Sequence, residues 1–183
     1  MIARLGVAIP LVIFSANLSW ANHVLFVVGP DSHGPGSHEP IAGARLLKHC
    51  IENLPKLTGH TAEVVSKWPN ESQQAKADTV VFLGDTFPAN RFEDAARNLA
   101  DLHRMMQRGC GIVCLHYATG LKKEDVSPTG EHPLLGWMGG YFANPGSTHH
   151  VSYARVFDKA KITPGKTKHP ILRGWKEFVI RDE

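Results

Sequence analysis

The chain has 183 residues, with 20 Lys and Arg against 17 Asp and Glu, and a formal net charge of +3. Its hydrophobic fraction of 43% and charged fraction of 20% are ordinary for a globular protein and exclude a disordered or collagen-like chain. The small, dispersed charge argues against nucleic acid as a partner. Histidine is unusually frequent, with 11 residues against 3 cysteines, so the positions of the histidines bear on function.

The first residues predict a signal peptide for export. Arg4 supplies a positive n-region, residues 5–14 supply an apolar h-region, and a small-x-small cleavage site ends at Ala21. The alternative, a membrane anchor, is disfavoured because the apolar run is shorter than the roughly 20 residues that span a bilayer. We therefore expect a signal peptide over 1–21 and a mature protein in the periplasm or outside the cell, with no membrane as a partner.

The mature chain alternates strand patterns with helical patterns. Apolar, β-branched runs predict strands, which we place at 23–29, 61–67, 79–85 and 111–117, with further strands at 151–157 and 177–181 that are antiparallel at an edge. A short helix is expected at 134–140. Buried strands separated by helices indicate βαβ units, so the predicted fold is α/β, with three layers and a mostly parallel central sheet.

Two longer helical patterns separate these strands. The first follows Ser37, a predicted N-cap, and its apolar side chains share one face: Leu46, Leu47, Cys50, Ile51 and Leu54. The second ends at Gly109 as its C-cap, and its apolar residues are spaced four, three and four apart: Ala95, Leu99, Leu102 and Met106. The fourth strand is expected to be buried, as a continuous apolar run.

Polar, titratable residues follow the predicted strands. In parallel α/β sheets, ligands bind outside the carboxyl ends of the strands. The loop after the first strand, residues 29–39, holds two histidines and two carboxylates, and the fourth strand ends at His116 and Tyr117. These two groups must lie at the same edge of a parallel sheet, whereas His149 and His150 reach that edge only if the chain folds back there.

Histidines that converge from separate loops can bind a divalent metal such as zinc, or act as general acid and base. We predict metal ligands at His33 and His38 together with His149 or His150, catalytic residues at His116, Tyr117 and Glu39, and substrate-binding residues at Asp31, Ser32, Gly34 and Ser37. The alternative is that each histidine satisfies only a local hydrogen bond. The expected solvated remainder is His49, His60, His103, His132 and His169.

Several runs, taken in chain order, resemble the ThuA-like (trehalose utilization) family. They are HVLFVVGPDSHGPGSHE, TVVFLGD, RGCGIVCLHYATG, HPLLGWMGGYF and HPILRGWKEFVIRDE. The resemblance extends over 22–183 and implies one domain with the flavodoxin-like fold of the class I glutamine amidotransferase-like superfamily. It also implies a bacterial source, since exported members occur in bacteria, and a domain truncated at its C-terminus, because the last run continues into further strands in the family.

The resemblance implies a role in the metabolism of disaccharides and keto-sugars. We expect an enzyme that acts on a small carbohydrate by histidine acid–base or metal-assisted chemistry, and keep a non-catalytic carbohydrate-binding module as the alternative. A cysteine-dependent amidotransferase-like hydrolase is the least favoured function. Its G-x-C-x-G elbow is missing, since Ile112 and His116 stand where glycines would flank Cys114. The oligomeric state is left open, with a homo-oligomer as one alternative.

Overall fold

The computed structural model of the protein describes residues 22–147, 156–166 and 168–182. The chain divides after Ala118 into two compact units. Among the described helices, none has both the length and the apolar character that crossing a membrane requires.

A four-stranded parallel sheet forms the centre of the first unit, with the strand order β2-β1-β3-β4. Its strands are β1 (His23–Val28), β2 (Thr61–Val65), β3 (Thr79–Leu83) and β4 (Gly111–Cys114). The predicted α/β class and mostly parallel sheet are therefore confirmed. Each strand ends before its predicted end because polar residues, glycine or a 3-10 turn follow it.

Three helices connect these strands: α1 (Pro40–Asn53), α2 (Glu71–Lys76) and α3 (Ala95–Gln107). The prediction that Ser37 caps α1 is wrong. Ser37 closes a turn by donating its N–H to the Gly34 carbonyl at 3.1 Å, and Glu39 is the N-cap residue. The predicted C-cap of α3 is off by one residue: Arg108 is the C-cap, and Gly109 follows it with a φ of +89°.

Helices cover both faces of this sheet. On one face, Ala44 of α1 packs with a buried apolar cluster that includes Phe26 and Leu83. Alternate residues such as Phe82 point to the opposite face, where Trp68 stacks on Phe82 with ring centroids 6.4 Å apart. Trp68 also donates its indole N–H to Asp101 of α3 at 2.8 Å, so α3 lies on that second face.

The buried face of α3 is rotated from the predicted one. It consists of Asn98, Asp101, Leu102 and Met105. Two of these four residues are polar, and each is satisfied by hydrogen bonds: Asn98 donates to the Ala89 carbonyl at 3.1 Å, and Asp101 accepts from Trp68. A pattern of apolar residues alone cannot predict such a face.

Two further expectations of burial are wrong. Ala44 is the buried residue of α1, and Ile51 of the predicted face packs against the core, whereas Leu46, Leu47, Cys50 and Leu54 are exposed. Within the described residues, β4 stands at the edge of the sheet, with exposed and half-buried residues in alternation, so its apolar run does not signify burial on both faces. Apolar residues predicted burial in both cases. They do not show whether a helix face meets the sheet or whether a strand lies at the centre or the edge of the sheet.

The second unit contains smaller elements. A short parallel pair joins β5 (Gly120–Leu121) to β6 (Phe142–Ala143), with α4 (Pro133–Met138) between them. A hairpin follows, in which β7 (Phe157–Ile162) pairs antiparallel with β8 (Phe178–Asp182). The predicted helix at 134–140 and strand at 177–181 are present, whereas the strand predicted at 151–157 falls mostly outside the described residues.

Candidate functional site

Loops at the carboxyl ends of three strands build one polar site in the first unit. The loop after β1 carries Asp31, His33 and His38. Asp85 lies just beyond the end of β3, and His116 lies just beyond the end of β4. The sheet brings these loops together because parallel strands end at the same edge. The rings of His38 and His116, which come from different loops, have centroids 5.0 Å apart.

Four potential ligand atoms converge at this edge. Nδ1 of His33 lies 2.9 Å from Oδ1 of Asp85, 3.0 Å from Nδ1 of His38 and 3.4 Å from Oδ1 of Asp31. All four side chains offer one ligand atom within 4.8 Å of every other. We call Asp31, His33, His38 and Asp85 the Asp/His cluster. It can hold a metal ion.

Hydrogen bonds alone do not account well for the nitrogen and oxygen atoms that surround His33 Nδ1. A neutral imidazole nitrogen either carries one proton or accepts one. A single proton on His33 Nδ1 would have to be shared between Asp85 Oδ1 and His38 Nδ1, with a third acceptor on Asp31 close by. Atoms with lone pairs that crowd around one point are the surroundings that a divalent cation requires.

The donor set suits such a cation in its chemistry and its spacing. Two imidazoles and two carboxylates are ligands that zinc accepts. Ligand atoms about 2.1 Å from a tetrahedral ion are about 3.4 Å apart. Separations around His33 of 2.9 to 3.4 Å, and of 4.0 Å between His38 Nδ1 and Asp85 Oδ1, are close to that value. Small side-chain adjustments would therefore complete the site.

Asp85 is the member of the cluster that sequence reasoning missed. Burial favours its neutral form, but hydrogen bonds from the Ser32 hydroxyl, the Ser32 N–H and His33 outweigh this and lower the pKa of Asp85 below its ordinary value. The side chain is thus held as a carboxylate. Its position just beyond an apolar strand was the available signal, since the rule that selected His116 applies equally to Asp85.

Two glycines allow the strand ends of β1 and β3 to meet. Gly29 donates its N–H to the Leu83 carbonyl at 2.8 Å. A Cβ on Gly84 would lie 3.3 Å from the Gly29 Cα, and Gly84 has a φ of +152° that other residues rarely adopt. This close approach of the two backbones places Asp85 beside the loop that carries the other cluster residues.

His116 occupies an unusual backbone position. Its φ is +53°, in the left-handed region that favours glycine. Its ring lies 4.1 Å from that of Tyr117 between centroids, and Tyr117 lies 5.5 Å from His38. The sharp turn therefore presents an imidazole next to the Asp/His cluster without making it a member of that cluster.

A cavity of about 300 Å³ lies beside the cluster. Apolar side chains such as Leu83 and Leu115 line it together with Ser37, Glu39 and His116. The Glu39 carboxylate is held in place by the Gly36 N–H at 2.8 Å. The cavity thus combines an apolar wall with groups that can bind hydroxyls and transfer protons.

The predicted site residues divide accordingly. The structure brings Asp31, His33 and His38 into the cluster, and places Glu39, Ser37 and His116 at the cavity. Ser32 donates to Asp85, and the Gly34 carbonyl accepts from Ser37, so both shape the loop that carries the cluster. His149 and His150 lie outside the described residues.

One histidine that was expected to be solvated is buried. His132, at the start of α4, accepts the Leu134 N–H at 3.1 Å on Nδ1, and burial lowers its pKa. His132 therefore has a structural role as the N-cap of a helix, whereas the sequence predicted a solvated residue. His23, at the start of β1, is also buried, and its ring bonds to Thr61 Oγ1 at 2.8 Å.

The three cysteines are free thiols. Burial raises the pKa of Cys114 to about 12, so its reactive thiolate is scarce at neutral pH. A cysteine with this environment is a poor nucleophile, and the left-handed position that follows β4 belongs to His116 instead. Cys110 is buried and Cys50 is exposed.

Comparison of the chain with protein-family models, curated proteins and solved structures finds no match.

Proposed function

We propose that this protein is an exported, ThuA-like carbohydrate-metabolising protein that acts on a sugar or keto-sugar with the help of a divalent cation. The observation that carries the proposal is the Asp/His cluster, in which four ligand atoms lie within 4.8 Å of one another at the carboxyl edge of the sheet. The resemblance of the sequence to the ThuA-like family supports the choice of substrate class.

The cluster residues would hold the cation through two imidazole nitrogens and two carboxylate oxygens. A bound divalent cation would supply Lewis-acid polarisation of a carbonyl or hydroxyl oxygen. Asp85 keeps its negative charge through the Ser32 hydrogen bonds, and the same contact fixes the direction of its carboxylate. Ser32 therefore acts as a positioning residue.

Proton transfer falls to residues at the cavity. His116 lines the cavity, and an imidazole is suited to taking and returning a proton near neutral pH. Tyr117 packs against the His116 ring and limits its rotation. Glu39 faces the same cavity from the other loop and can accept a hydrogen bond from a substrate hydroxyl.

The size of the cavity bears on the substrate. At about 300 Å³ it stands at the lower end of the range for small-molecule pockets, roughly 300–1,000 Å³. We infer that one sugar ring enters it and that a second ring of a disaccharide would remain outside. The apolar wall formed by Leu83 and Leu115 suits the carbon face of such a ring.

Metal binding is tested by calorimetric titration of the purified protein with Zn²⁺. We expect one site per chain, with affinity reduced at least about tenfold by His33→Ala and by Asp85→Asn, because each removes a ligand atom. His103→Ala is the matched control, since His103 is an exposed histidine on α3. Equal affinity in all three variants, or no site in the parent protein, would contradict the metal centre.

Catalysis is tested by turnover of keto-sugars and disaccharides in the presence of Zn²⁺. His116→Ala is expected to lower kcat by about 10²-fold or more while Zn²⁺ affinity is kept, because His116 is outside the cluster. Full turnover by this variant would rule out the proton-transfer role. Sugar binding without turnover in the parent protein would instead indicate a binding module.

A further inference from the structure

We infer that residues 164–166 and 168–173, between β7 and β8, form a second binding site, which takes the phosphate or sulfate group of a small ligand. An open cleft of about 480 Å³ lies within this connection. Lys166, Lys168, His169 and Arg173 line it, together with proline, glycine and leucine, and none of the described residues that line it carries a carboxylate. This site lies in the second unit and does not depend on the proposed metal centre.

The net positive charge of the protein is concentrated in the segment of the chain that contains this cleft. Residues 156–182 contain seven Lys or Arg against three Asp or Glu, whereas the whole chain contains 20 against 17. The rest of the chain is therefore close to neutral. A local excess of positive charge raises the concentration of anions at the surface and speeds their capture.

Among the described residues, the cations of the cleft have no carboxylate partner that would compete with an anion. Within the described residues, Lys166, Lys168 and Arg173 form no ion pair, whereas the nearby Lys161 is paired with Glu177 at 2.8 Å. Three like charges that line one cleft repel each other, and a bound anion would relieve that repulsion. The guanidinium of Arg173 adds a planar fork that fits two oxygens of a phosphate or sulfate group.

Hydrogen bonds shape the wall of the cleft. Nδ1 of His169 accepts the Ile171 N–H at 3.2 Å, so its other ring nitrogen carries the proton in the neutral form and is a donor. The turn that follows is closed by the Leu172 N–H to the His169 carbonyl at 2.9 Å. The Arg173 N–H donates to the Pro170 carbonyl at 3.0 Å, which holds Arg173 close to His169.

A small oxyanion fits this cleft better than a nucleic acid does. Nucleic acid is bound by a stripe of basic residues that follows many phosphates. Here three cations and a histidine line one cleft, and the rest of the chain is nearly neutral overall. The number of donors matches the several oxygens of a single phosphate or sulfate group.

The proposal is tested by adding inorganic phosphate, and separately sulfate, to the ¹⁵N-labelled full chain and recording amide shifts by NMR. We expect saturable shifts concentrated in residues 164–173. Because the charges are exposed, Lys166→Gln should weaken binding about threefold, and Arg173→Gln about tenfold because the fork is lost. Lys176→Gln, an exposed lysine outside the cleft, is the matched control and should bind as the parent does.

Three results would overturn this site. One is shifts that are spread over the surface and do not saturate. Another is a Lys176→Gln effect as large as that of Lys166→Gln, which would indicate diffuse charge alone. The third is a DNA duplex that binds more tightly than phosphate and sulfate and is weakened equally by all three substitutions. The unchanged spectrum of each variant without added anion shows that it is folded.

Discussion

At the scale of single residues, the geometry of the Asp/His cluster depends on hydrogen bonds from residues outside it. Ser32 donates both its hydroxyl and its N–H to one carboxylate oxygen of Asp85, and His33 contacts the other oxygen. The carboxylate is thereby fixed in charge and in direction. Sequence reasoning assigned Ser32 to the substrate, because the pairing of residues 32 and 85 spans two strands and no local pattern reveals it.

Ser32→Ala should therefore raise the pKa of Asp85 and weaken Zn²⁺ binding about tenfold without unfolding the protein, since a side-chain donor to a ligand is lost. Calorimetric titration measures the loss. Ser72→Ala, on the exposed surface of α2, is the control and should keep the parent affinity. An unchanged affinity in Ser32→Ala would show that Ser32 has no positioning role.

The buried His23 makes folding sensitive to acid. The residue is 6% exposed, and burial, with Lys76 nearby, lowers its pKa below the ordinary 6.5, against the opposing effect of Glu63 and Asp78. The unfolded chain therefore binds a proton that the folded chain resists. The stability that neutral His23 contributes is complete above pH 6.5 and is lost as the pH falls toward the lowered pKa.

Urea unfolding at about pH 7.5 and about pH 5.5 measures this effect, on either side of the histidine pKa. We expect the free energy of unfolding to be lower at the acid pH, and this difference to shrink in His23→Asn, which has no titrating ring. A variant that keeps the full pH dependence would assign the effect to other groups, of which buried His132 is the first to test.

At the scale of elements, the contact between the ends of β1 and β3 is the feature that assembles the cluster. Strand position and type follow from the apolar runs, but the approach of two backbones depends on Gly29 and Gly84 together. The sequence shows both glycines, and nothing local shows that they face each other. Loop conformation after β1 was mispredicted for a similar reason, since Ser37 had a competing turn partner in Gly34.

Gly84→Ala is expected to destabilise the protein by about 1–3 kcal/mol, because its Cβ would press on Gly29 and its φ is strained for alanine. It should also weaken Zn²⁺ binding, since Asp85 would move with the strand end. Thermal unfolding and calorimetry measure the two effects. Gly136→Ala, a helical position with open space around it, should leave both nearly unchanged.

At the scale of the whole molecule, the sequence predicted the fold class and the edge of the sheet that holds the site. It predicted less well which residues are buried. The four parallel strands and the edge that holds His33, His38 and His116 follow from hydrophobic patterns and one topological rule. The exposure of Leu46 and the buried Asp101 do not follow, because they depend on which surfaces meet in space. Flavodoxin-like topology and the ThuA-like family stay predictions.

A bound cation should stabilise the folded protein as a whole. Any ligand that binds the native state alone adds about 2.7 kcal/mol of stability when its concentration is about 100 times its Kd. We expect Zn²⁺ to raise the Tm of the parent protein, and Asp85→Asn to lose this rise because it removes a ligand atom. A Tm that is insensitive to Zn²⁺ in the parent would contradict binding to the folded state.

The left-handed backbone at His116 implies a conflict between foldability and chemistry. At φ +53°, glycine would be accommodated without steric cost, whereas a histidine there retains strain of about 1 kcal/mol. Folding efficiency alone would thus favour the residue that has no side chain. An imidazole at this turn is useful if its reactivity outweighs the strain. A mutational screen for stability should therefore favour glycine over histidine at position 116, and a screen for activity should favour histidine over glycine.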